Sequence, residues 1–157
     1  MGSGAVTIMP GSPTDTATNA QGPSSLGDLG HEYYYNGSFY KLVKNASTST
    51  ATTIYQAVEW SNPAIGTATV TATTVASGPY LAGVPQVAIP ANGYAYICTG
   101  GICEGVSAAT PAAGASLYID STDGKWGAAT AGTHHIQAAA VDTGVADTAF
   151  TIYLSRL

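Results

Sequence analysis

The spacing of turn residues limits this chain more than any other feature. Asn36-Gly37, Ser61-Asn62-Pro63, Ser77-Gly78-Pro79, Pro90-Ala91-Asn92-Gly93 and Asp120-Ser121-Thr122-Asp123-Gly124 punctuate it, and residues 108–115 form a further Pro/Gly-broken stretch. Between these points lie short runs of Tyr, Val, Ile, Thr and Ala. Turn signals about every 8–12 residues, with no alternating βαβ rhythm, predict an all-β sandwich or barrel. No fixed-period repeat is present.

The runs themselves favour strands. Thr and Val are stiff at χ1 and suit a pleated surface. Asn36-Gly37 separates Tyr33-Tyr34-Tyr35 from Phe39-Tyr40-Lys41-Leu42-Val43. That is the strongest short hairpin signal, because both turn residues must take φ > 0. Residues 45–53 are small and polar and predict a loop or a single helical turn. Residues 54–60 alternate, with Ile54, Val58 and Trp60 on one face, and Pro63 ends the run. Further strands are expected at 67–75, 84–89, 94–98, 102–106, 117–119, 136–141 and 149–154. Asn92-Gly93 predicts a second hairpin-type turn.

Residues 1–30 differ in texture. They hold three Pro, six Gly and a polar run, with no period of 2 or 3.6. Such a segment cannot build a core of its own. The expected organisation is an extended N-terminal arm (1–30) followed by a compact β-rich domain (31–157). Val6, Ile8 and Met9 form an apolar island near the tip of the arm.

Composition excludes several functions. Only 8% of residues are charged, and the net charge is -5. Phosphate contacts need clustered Lys and Arg, so neither nucleic acid nor an anionic membrane surface is an expected partner. No run of 18 or more apolar residues occurs. Met1 to Pro10 lacks the basic flank and apolar core of a signal peptide. Val6 stands where a myristoylation pattern needs Ser or Thr. The expectation is a protein that stays in the cytosol of the cell that makes it, or is assembled there into something larger. At 45% hydrophobic residues the chain is too apolar for disorder beyond its start. Its 157 residues allow a core that buries roughly 70% of the unfolded surface.

No constellation for chemistry stands out. His134 and His135 are adjacent, so on a strand they point to opposite faces and do not share a metal. No Cys or spaced His completes a zinc set around them or around His31-Glu32. Residues 120–124 resemble part of a calcium loop but lack its later acidic positions and terminal Glu, so an Asx turn is expected. There is no GxSxG, GxGxxG or P-loop. The expectation is no enzyme activity, no cofactor and no metal. Cys98 and Cys103 flank Thr99-Gly100-Gly101-Ile102. A tight turn at Gly100-Gly101 sets the two sulfurs opposite each other; a bulge within one long strand keeps them apart. Asn36-Gly37-Ser38 and Asn45-Ala46-Ser47 match the glycosylation pattern, as short motifs do by chance in a Ser/Thr-rich chain. Tyr33, Tyr34 and Tyr35 are consecutive, so at least one ring faces away from the core.

Part of the chain resembles a known family. Gly83-Val84-Pro85-Gln86-Val87-Ala88-Ile89-Pro90 is followed by Asn92-Gly93-Tyr94-Ala95-Tyr96-Ile97-Cys98-Thr99-Gly100-Gly101. Then come an Ala/Pro/Gly loop, Leu117-Tyr118-Ile119-Asp120-Ser121-Thr122-Asp123-Gly124-Lys125-Trp126, and a closing Phe150-Thr151-Ile152-Tyr153-Leu154. This order of turns and strands resembles the capsid decoration (cement) proteins of tailed bacteriophages, and His31 to Lys44 resembles their opening hairpin. The closing strand carries Thr151 and Tyr153 where such proteins often carry charge. The resemblance implies a β-barrel or β-tulip-like domain with an extended arm. It implies a homotrimer on the outer capsid surface that clamps neighbouring major capsid subunits and catalyses nothing. The expected contacts with capsid or neighbour are Val6, Ile8, Met9, Leu26, Leu29, Tyr33, Tyr34 and Tyr35.

A second reading is a carbohydrate- or host-surface-binding virion module of the head-fibre or adhesin kind. Tyr33–Tyr35, Trp60 and Trp126 would then line a shallow sugar face, since rigid aromatic rings supply contact area at low entropic cost.

Overall fold

A computed structural model describes residues 9–61, 69–71, 81–120, 124–130, 133 and 136–155. Eleven strands account for the regular structure among them, joined by one short 3-10 turn at Pro23–Ser25. They are β1 (Thr16–Ala17), β2 (Glu32–Tyr35), β3 (Ser38–Asn45), β4 (Val58–Trp60), β5 (Thr69–Thr71) and β6 (Leu81–Pro85). The rest are β7 (Tyr94–Val106), β8 (Ser116–Ile119), β9 (Trp126–Ala128), β10 (Ala138–Ala140) and β11 (Ala149–Leu154). The all-β expectation holds.

The strands form one sheet in the order β2-β3-β5-β4-β6-β7-β11-β10-β8-β9, with β1 on β7. Its path begins at β2 and ends at β9, so the sheet as a whole is not a closed barrel. β3 and β7 also pair with each other, which folds the middle of the path back on itself. All pairings between these strands are antiparallel except β3–β5.

The β2–β3 hairpin forms as its turn chemistry dictates. Asn36 and Gly37 take φ of 46° and 85°, and Tyr35 pairs with Ser38. The Asn92-Gly93 turn has a different role. Gly93 N–H donates to the Pro90 carbonyl and Asn92 takes φ 55°. A positive φ at the third position marks a type II turn. It precedes β7 but does not close a two-residue hairpin, since β6 ends at Pro85.

β7 is the spine of the fold, pairing with β1, β3, β6 and β11. Residues 94–98 and 102–106, expected as separate strands, are one strand of 13 residues. Gly100-Gly101 is thus not a tight turn. Tyr40 pairs with Cys98 but Phe39 with Gly100, so Thr99 is an extra residue in a β-bulge. Gly101 takes φ 94°, and a Cβ there would sit 2.7 Å from the Gly37 carbonyl oxygen. Only glycine fits such a crossing.

β3 and β7 are buried on both faces. Leu42, Tyr40, Tyr96 and Cys98 join the main core with Leu117, Ile119, Trp126, Phe150, Ile152 and Leu154. Val43, Ala95 and Ile97 point the other way, into a second cluster with Val58, Val70, Ala82 and Ile89. Burying each large apolar side chain contributes about 1.5–3 kcal/mol, so the two clusters together hold β3 against β7.

Several sequence expectations shift. Of residues 54–60 only Val58–Trp60 form a strand; Tyr55 takes φ 62° and Ile54 is exposed. The strand expected at 84–89 is Leu81–Pro85. Of the strand expected at 67–75, Thr69–Thr71 is β5 and the remainder lies outside the described residues. The N-terminal stretch, from Met9 on, lies against the body. β1 pairs with β7, and Met9, Ala17 and Leu26 belong to the main core. A short apolar segment does this when a sheet offers it an uncovered hydrophobic face.

Candidate functional site

The residues expected to meet a partner separate into distinct groups. Val6 and Ile8 lie outside the described residues. Met9, Leu26 and Tyr33 are buried in this chain's own core at 5%, 6% and 4% exposure. They offer no surface to a second molecule while the body is folded. Leu29, Tyr34 and Tyr35 are exposed.

The tyrosine trio shows how strand alternation divides the work. Tyr33 points inward and packs edge-on against Tyr96, with ring centroids 5.6 Å apart. Its hydroxyl accepts the Asp28 N–H at 2.9 Å. Tyr96 in turn donates its hydroxyl proton to the Leu26 carbonyl. These two tyrosines fasten the N-terminal layer to the sheet. Burial, then the neighbouring Tyr33, pushes the Tyr96 phenol up to about 12. Tyr34 points outward and packs edge-on against Phe39 across the hairpin at 5.3 Å.

The aromatic set expected of a sugar face is not assembled. Trp126 is fully buried and Tyr33 nearly so, while Trp60 is half-buried under Lys41, whose Nζ lies 5.5 Å from the ring centroid. Trp126 stacks over Gly105, where a Cβ would approach its ring to 2.7 Å. Its indole N–H has no acceptor among the described residues.

The cysteines differ from the expectation for a bulged strand. Both thiols are free and buried, yet they lie side by side, and the Cys98 thiol donates to the Gly100 carbonyl at 3.6 Å. Five residues apart on a regular strand, they would face opposite sides. The one-residue bulge at Thr99 changes that parity, so both point into the main core. The neighbouring Cys103 thiol lowers that of Cys98, and Cys98, then burial, raises that of Cys103 well above the ordinary range. Burial, then the two thiols, pushes the Tyr40 phenol upward too.

Among the described residues no three His, Cys, Asp or Glu side chains gather as a metal site. His134, His135 and residues 121–123 lie outside the described residues; His31 packs against the Tyr33 ring at 4.9 Å. No helix among the described residues is long and apolar enough to cross a membrane. Asn45 is fully buried, with its amide donated to backbone carbonyls of Thr50, Ile89 and Pro90. It is a structural residue, not an open glycan acceptor.

Sequence reasoning missed one surface. Ile102 on β7 and Tyr153 on β11 pair across the ladder, and both are more than half exposed. Their chain neighbours Cys103 and Ile152 are buried. The alternation of 149–154 signalled that Tyr153 faces outward. Nothing local to residue 102 signalled that Ile102 lies beside it.

No known family model matches the chain, and no curated protein does. Among solved structures the chain is similar to the head fiber gp8.5 N base of bacteriophage phi29. The TM-score is 0.53 at 12% sequence identity, covering 75% of this chain and 96% of that one. At that identity the likeness is one of fold.

Proposed function

We propose that this chain is a structural protein of a tailed-phage virion, seated on the outer surface of the capsid. It bridges neighbouring major capsid subunits as a homotrimer and catalyses no reaction. The observation that carries this reading is the fold shared with the phi29 head fiber base over nearly the whole of that chain. The turn-and-strand order that resembles phage decoration proteins supports it independently. The contacts are Leu29, Tyr34 and Tyr35, exposed on the body, together with Val6 and Ile8 ahead of it. Repetition on a lattice strengthens binding by engaging several contacts at once.

The test is recruitment of purified protein to shells assembled from the major capsid subunit alone. Stoichiometric binding at fixed lattice positions, seen in an image reconstruction, is expected. A protein that ignores the shells but binds a glycan array belongs to the host-recognition reading instead. Removing residues 1–8 is the clean probe of the leading segment. A longer deletion also strips Met9, Ala17 and Leu26 from the core.

A further inference from the structure

The outward side of the β7–β11 ladder carries an exposed apolar rung. Ile102 and Tyr153 form one rung, at 55% and 54% exposure. The next rung on the same side is Glu104 with Thr151. The Thr151 hydroxyl lies 3.0 Å from Asp142 Oδ2 and 3.4 Å from Glu104 Oε1. It has one proton to give to these two carboxylates. Asp142 Oδ1 also accepts the Thr151 N–H at 2.9 Å, which fixes that carboxylate beside the strand. An apolar rung is thus bordered by two anchored acids.

Charge decides what fits. A two-fold pairing of this face with itself would bring Glu104 and Asp142 of both copies together, and like charges across an interface are costly. A second copy has little to offer in compensation. Of its four cations, Lys41 lies over Trp60, Lys44 over Tyr94 and Lys125 pairs with Asp147 at 2.7 Å, while Arg156 lies outside the described residues. The chain as a whole carries -5. With nine acids to four cations, a chain richer in Lys or Arg complements this face better than a second copy does, whether the copies meet face to face or head to tail.

We infer that the Ile102/Tyr153 face docks a non-self protein presenting an apolar side chain flanked by Lys or Arg. Resting on the virion reading, that partner is the major capsid subunit. An apolar anchor with a charged border is the usual anatomy of an interface centre and rim.

The experiment measures binding of full-length protein to shells assembled without it. Ile102→Glu/Tyr153→Glu is expected to lose about tenfold or more in apparent affinity. Its melting temperature and the native mass of the isolated protein should stay unchanged, since both positions are exposed. Glu104→Gln/Asp142→Asn is expected to bind more weakly at low salt and to lose most of the salt dependence of the wild type. Wild-type affinity in the first pair overturns the inference while leaving the virion reading intact. So does a reduced native mass, which would make the face a contact between copies. Unaltered salt dependence in the second pair removes the charge argument and overturns the named chemistry. Wild-type protein that fails to bind shells overturns the virion reading, and this inference with it.

Discussion

Gly83 offers a sharp test of how β7 is held. It lies in β6 opposite the register shift of β4, where Val58 pairs with Gly83 and Glu59 with Leu81. Its φ is +153°, and a Cβ there would lie 2.3 Å from the Cys98 carbonyl oxygen and 3.1 Å from Ile97 Cδ1. The obstacle is backbone, fixed by the pairs Val84–Cys98 and Pro85–Ile97, so no rotamer change relieves it. Gly83→Ala therefore combines backbone strain of about 1–3 kcal/mol with overpacking of about 1–3 kcal/mol. Gly37 is the control. Its φ is +85°, but a Cβ there would have nothing within 4 Å, so Gly37→Ala costs only the left-handed strain of about 1–2 kcal/mol. A domain of this size loses about 2–4 °C per kcal/mol. Calorimetry should then show Gly83→Ala melting about 12 °C below the wild type and Gly37→Ala about 4 °C below. Denaturant unfolding with an unchanged slope would confirm that stability alone has moved. A Gly83→Ala protein no less stable than Gly37→Ala would refute the close packing of β6 on β7.

Three further outcomes are expected. Asn45→Ala should destabilise the fold by about 2–3 kcal/mol in urea titration, because three carbonyls and the Ser47 N–H lose a buried partner. Tyr96, with its phenol at about 12 against an ordinary 10, makes stability depend on alkaline pH. Its contribution is complete below pH 10 and is lost as pH rises from there toward 12, because the unfolded chain ionises first; tyrosinate absorbance and unfolding, followed together, should show this. Cys98 and Cys103 should resist a thiol reagent in the native protein, owing to their burial, and both should react after unfolding. A fast native reaction at either would show that the main core is open there.

How far the sequence reached depended on the range of the forces involved. The Asn36-Gly37 hairpin and β11 lie where turn chemistry and alternation put them, because each is decided within about ten residues. Residues 54–60 alternate as a strand should, yet Tyr55 turns out of it. Its N–H bonds to the Pro85 carbonyl and its carbonyl accepts the Val106 N–H, so two distant strands set its conformation. Met9 and Leu26 looked like the contacts of a loose arm because nothing in 1–30 is periodic. Their burial depends on an open apolar face of the sheet, which a linear pattern does not display.

By itself, the sequence determined the all-β character of the protein, its best hairpin and its low charge. Those follow from dihedral preferences, composition and period, which are properties of neighbouring residues. Only the tertiary structure decided that 94–106 is one strand, that Cys98 meets Cys103, and that Ile102 and Tyr153 share an outer rung. These depend on a one-residue bulge and on pairings between segments far apart in the chain. A shift of one residue in such a pairing turns every side chain to the opposite face.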